Sequence, residues 1–106
     1  MNKAIGIDGL DGRIAAAFVD AVKSEDVASL LAETEAASIS AGEEAERTRT
    51  RALEPSLSAS DVATARRHME DSVFRHDRLQ SAVKGLRERL RQVRAHEEAM
   101  NVVRGS

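Results

Sequence analysis

Cysteine is absent from this 106-residue chain. That excludes disulfides, thiolate metal sites and cysteine nucleophiles, and it fits a reducing compartment. Tryptophan and tyrosine are missing too, so Phe18 and Phe74 are the whole aromatic content. A β-sandwich fills its faces with β-branched and aromatic residues, and this composition argues against one. Pro55 is the single proline, which leaves long stretches on both sides free of that helix breaker. No apolar run nears the roughly 18 residues of a membrane span. Residues 1–10 have neither the charge nor the apolar stretch of a signal peptide. The expectation is a single-domain, cytoplasmic protein with no membrane partner.

Charge and small residues make up what remains. Charged side chains are 32% of the chain and its net charge is −2, but the two signs are unevenly placed. Residues 1–46 carry a balance of −7 and residues 47–106 a balance of +5. Arms of opposite sign attract when folded side by side, within one chain or between two.

The apolar residues are periodic, which argues against disorder in so polar a chain. Gly6, Gly9 and Gly12 interrupt Asp8 and Asp11, and residues 1–12 read as a flexible leader. One hairpin domain over residues 13–106 is expected to follow. Ile14, Phe18, Ala21 and Val22 recur at helical spacing and predict a short helix over 13–23, with Asp11 as its N-cap. Ser24, followed by Glu25 and Asp26, reads as the N-cap of a second helix over 25–53. Its seam is Val27, Leu31, Thr34, Ser38, Ala41, Ala45, Thr48 and Ala52, in alternating steps of four and three. Pro55 places a turn at 54–58, and Ser58 with Asp61 resembles a capping box for a third helix over 59–101. The seam of that helix begins at Val62 and Ala65 and continues through Met69, Ser72, His76, Leu79, Val83, Leu86, Leu90, Val93, Glu97 and Met100.

The first two helices together match the third in length. The predicted fold is therefore all-α: a long antiparallel, coiled-coil-like helical hairpin preceded by a short N-terminal helix. Folding about residue 56 would set Ser24 opposite Glu88 and Val27 opposite Gly85. Small residues of the second helix would meet Met69, Val73 and Leu79. A bare two-helix hairpin covers each helix on one side only. Leu30, Ala37, Val73 and Phe74 flank the seams and predict an interface, most simply with a second copy in a helical bundle.

Lys84, Arg87, Arg91 and Arg94 form a basic stripe at steps of three, four and three, with Arg89 nearby. It suits a polyanion or an acidic partner. Its alternative use is intramolecular, against Asp20, Glu25, Asp26 and Glu33. Arg47, Arg49 and Arg51 point in alternate directions and form no patch. His68, His76 and His96 lack metal-binding spacing, and His76 falls on the seam. The Asp8–Gly12 stretch is no calcium loop, because the twelfth position would be Val19. No serine sits in a nucleophile elbow. The expectation is a non-enzyme without cofactor or metal.

The stretch Arg51–Val62 (RALEPSLSASDV), then Ala65–Phe74 (ARRHMEDSVF), then Arg78 and Leu79, resembles uncharacterised helical-hairpin proteins of bacteria and prophages. The likeness covers roughly residues 27–98 and implies a hairpin without implying an activity. The functional expectation is a non-catalytic interaction or oligomerisation protein, a homodimer that meets a further protein partner. The alternative is a small nucleic-acid-associated factor using the basic stripe.

Overall fold

The computed structural model describes the backbone of residues 7–105 and the side chains of residues 9–102. The fold is all-helical: α1 spans Ile7–Val19, α2 spans Ser24–Ala52 and α3 spans Ala59–Gly105. The described residues contain no strand. No helix among them is long and apolar enough to cross a membrane. The chain divides into two compact units. Unit 1 comprises residues 1–34 and 82–106, and unit 2 comprises residues 35–81.

Unit 1 brings α1, the first part of α2 and the last part of α3 into a three-helix core. Leu10, Ala17, Val27, Leu30, Val83, Leu86, Leu90 and Val93 are all buried, with Leu86 at 0% exposure. Seven of these are Leu or Val, each contributing about 1.5–3 kcal/mol when fully buried. Thr34 is buried among them, and its hydroxyl donates to the Leu30 carbonyl at 2.8 Å. A buried threonine can stay inside a helix when the preceding turn satisfies its hydroxyl in this way.

The helix α1 starts earlier than the glycines suggest. Residues 7–12, expected as part of a flexible leader, are its first turns, and Val19 rather than residue 23 ends it. Residues 1–6 of that leader lie outside the described residues. Gly9 and Gly12 cost about 1 kcal/mol each relative to alanine in a helix interior. The burial of Leu10 offsets that cost, because it completes a buried row with Ala17 two turns on.

The position of α1 also decides which leucine of α2 goes inside. Leu30 is buried and Leu31 half-buried, the reverse of the expected seam. Arg13 of α1 makes a two-pronged bond to Glu33, at 2.8 and 2.6 Å. Glu33 lies one turn beyond Leu30 on the same side of α2. The side of α2 that looked free in the sequence is therefore covered by α1.

Unit 2 is a helix–turn–helix. Ser58 caps α3: its hydroxyl accepts from the Asp61 N–H at 3.2 Å, and its carbonyl accepts from the Val62 N–H at 2.9 Å. Before it, the Glu54 carboxylate accepts from the Ser56 hydroxyl at 2.9 Å and braces the turn around Pro55. Residues 59–64 are helical but all exposed, and Ala65 is the first buried residue of α3. Val62, expected to head the seam, is 39% exposed. This overhang shifts the pairing. Gly42 lies against His76, where a fold centred on residue 56 would have placed it near residue 70. A Cβ on Gly42 would lie 3.0 Å from His76 Nε2, so the missing side chain makes room for the imidazole.

The core of unit 2 is thin. Its buried residues are Ser38, Ala41, Ala45, Ala65 and Leu79. A buried alanine withdraws only a methyl group from water, on the order of 0.8 kcal/mol.

Candidate functional site

Unit 1 holds its helix ends with two charged side chains from α3. Glu97 sits at the N-terminus of α2: one carboxylate oxygen accepts from the Ser24 N–H at 2.9 Å, the other from the Ser24 hydroxyl at 2.6 Å. Ser24 therefore does not act as the expected N-cap. It is the first helical residue and gives its hydroxyl proton to Glu97, while the Lys23 carbonyl accepts the first helical bonds, from Asp26 and Val27. The bonds from Ser24, first its hydroxyl and then its backbone N–H, hold the Glu97 carboxyl below the usual glutamate range, and Arg94 and His96 add to the effect.

Arg89 does the converse at the end of α1. Its Nε donates to the Ala17 carbonyl at 2.7 Å, and a terminal nitrogen donates to the Asp20 carbonyl at 3.2 Å. Each charge has the sign that the helix dipole favours: an anion at an N-terminus and a cation at a C-terminus. Each also satisfies backbone groups that a helix end leaves unpaired. Two residues eight apart on α3 thus fix both sides of the α1–α2 link. Gly85 serves the same packing, since a Cβ there would stand 3.1 Å from the Phe18 ring.

The basic stripe lies on unit 1. Lys84, Arg87, Arg91 and Arg94 are all exposed. Arg91 is held by Glu88, one turn back on the same helix, with Nε 3.0 Å from the carboxylate, and that bond lowers the Glu88 pKa. Arg87 also has a partner. Arg94 lies close enough to Glu97 to stabilise its charge. The stripe therefore pairs partly along its own helix. Of the acids expected to face it, Glu33 is taken by Arg13, and Asp20 offers its backbone carbonyl to Arg89.

The residues expected to meet a partner are dispersed. Leu30 belongs to the buried core of unit 1, covered by α1, and cannot serve as a free contact. Ala37 is half-buried in unit 2, while Val73 is 38% and Phe74 67% exposed. Phe74 stands apart on α3, with Glu70, Asp71, Asp77 and Arg78 on the adjacent turns.

A different arrangement emerges from the seam of unit 2. In an antiparallel pair of right-handed helices, residues that follow a seam position by one fall on one edge for both helices. Residues that precede it fall on the other edge. Ile39, Leu53 and Val73 follow Ser38, Ala52 and Ser72, and they build an apolar edge. Val62 joins it, being eleven residues, or three turns, from Val73. All four of these large side chains are exposed. Glu35, Glu46, Arg49, Arg66, Glu70 and Asp77 lie among them by the same rule, four acids and two bases.

The preceding residues Ala37, Ser40, Glu44, Arg47 and Arg75 build a polar edge. There they line a groove of about 400 Å³, together with Ala41 and Ser72. The pairing of Glu44 with Arg47 takes the place of the i,i+4 pair with Glu43 that the sequence allows.

Among the described residues no three His, Asp or Glu side chains converge as a metal site would. Both edges follow from the seams and the antiparallel pairing, so the one-residue offset that builds them was already written in the sequence. No family model, curated protein or solved structure matches this chain.

Proposed function

We propose that this chain is a non-catalytic helical interaction protein that self-associates through the apolar edge of unit 2, giving a coiled-coil-like bundle of two hairpins in the cytoplasm. One observation carries the reading. Unit 2 buries a single large apolar side chain, Leu79, and exposes five: Ile39, Leu53, Val62, Val73 and Phe74. Scattered exposed hydrophobics are ordinary on a protein surface. Four of these five share one edge, beside a core too thin to account for a stable two-helix unit.

A second copy is the favoured occupant. That edge carries both signs, with Arg49 beside Glu46 and Arg66 beside Glu70, and a two-fold axis would set acid against base from each chain at once. A strongly acidic partner would be repelled by the excess of acids on that edge.

Light scattering at ~100 μM chain should give twice the 11.5 kDa chain mass. A fully helical species of 11.5 kDa at that concentration would refute the proposal.

A further inference from the structure

We infer that the groove on the polar edge of unit 2 is a binding site for a small organic phosphate. Its floor is Ala37 and Ala41, whose methyl groups leave the space open. Its walls carry two guanidinium groups, Arg47 and Arg75, and two hydroxyls, Ser40 and Ser72. Glu44 is the only acid in the lining, so the side chains around the groove sum to one positive charge.

That acid is already engaged. Arg47 Nε and one terminal nitrogen both donate to the same Glu44 oxygen, at 3.1 and 2.7 Å, which leaves the other terminal nitrogen of Arg47 for a ligand. Arg75 is half-buried on α3 and makes no ion pair among the described residues, even with Asp71 one turn away. Water competes less with a half-buried guanidinium than with an exposed one, and its planar fork matches a phosphate or carboxylate edge.

Donor count and size favour phosphate. Two arginines and two serines line one space, and together they offer more donors than the two oxygens of a carboxylate need. About 400 Å³ exceeds what a bare phosphate fills, and it lies within the range of small-molecule sites. The phosphoryl oxygens would meet Arg75 and Ser72 on α3 and Ser40 and Arg47 on α2, while an apolar body would rest on the alanine floor. This site lies on the edge opposite the proposed self-association surface and does not depend on it.

The test is an amide chemical-shift titration of the full chain with phenyl phosphate, inorganic phosphate, benzoate and phenol, each to ~10 mM, enough to detect millimolar affinity. The expected result is saturable binding of phenyl phosphate with shifts confined to 37–47 and 72–75. Inorganic phosphate should bind more weakly, and benzoate and phenol more weakly still. Arg75→Gln should weaken phenyl phosphate binding about tenfold. Arg91→Gln, on unit 1, should leave it unchanged. Ala37→Leu should block the groove, with helicity by circular dichroism confirming that each variant is folded. Shifts that fail to saturate, an Arg75→Gln variant that binds as well as the parent, or benzoate binding as tightly as phenyl phosphate would overturn the assignment. Chain mass is read separately, so a monomer that still binds phenyl phosphate would fail the self-association proposal and leave this one standing.

Discussion

The two units share α2 and α3 yet solve the same packing problem differently. In unit 1 a third helix, α1, covers the side of α2 that holds Leu30, and seven Leu or Val side chains go inside. In unit 2 no third helix is present among the described residues. Leu79 is the single large apolar side chain buried there, beside serine and alanine, and four others are left on an edge. A helix needs apolar cover on more than one side to bury enough surface, and the cover can come from its own chain or from another copy. The sequence predicted an interface flanking the seams at Leu30, Ala37, Val73 and Phe74. In the structure Leu30 is buried in unit 1, while Val73 and Phe74 of unit 2 stay exposed.

Five substitutions bear on this contrast. The largest effect should come from the well-filled core. Leu86→Ala in unit 1 empties a fully buried site and should cost about 2–5 kcal/mol by denaturant unfolding. A smaller loss would mean that unit 1 is packed no better than unit 2. Next comes Val73→Asp, which puts a carboxylate on the apolar edge of unit 2. It should weaken self-association at least tenfold, about 1.4 kcal/mol, while the helicity of the variant stays intact when measured at high concentration.

Glu97→Gln tests the cap on α2. The Glu97 carboxyl is lowered in the folded chain by its bonds to Ser24. Its stabilising contribution is therefore complete above the unfolded value of about pH 4.3 and is lost as pH falls through the lowered folded value. The parent should lose stability more steeply than Glu97→Gln below about pH 4, and the gap between them should be widest near neutrality. Parallel pH profiles would mean that Ser24 gains nothing from the charge.

The smallest effect sharpens the comparison between two glycines. Gly85→Ala should stabilise by up to about 1 kcal/mol, because the Phe18 ring it meets is 43% exposed and can swing aside. Gly42→Ala should gain less or lose, because His76 is held between the two helices of unit 2. Thermal unfolding of the pair would show whether the order holds.

Much of the local structure could be read in the sequence, and the long-range register could not. Pro55 and Ser58 mark a corner and a cap through chemistry that acts within four residues, and the alternating steps of the seams follow from helical geometry alone. The start of α1 was hidden because Gly9 and Gly12 look like breakers until the burial of Leu10 is known. Leu30 and Leu31 are neighbours that either packing could bury, and only the position of α1 separates them. The roles of Glu97 and Arg89 were out of reach for the same reason. A carboxylate on a seam reads as a fault until a helix N-terminus is found opposite it. The register itself slipped because α3 begins with an exposed overhang over 59–64, which no cap or turn signal reports.

Hydrogen exchange followed across a dilution series of the full chain tests the central contrast most directly. Amides of residues 35–52 and 65–81 should lose protection as the chain is diluted, while those of Val27, Leu86 and Leu90 in unit 1 keep theirs. Equal protection of both units at every concentration would contradict the account.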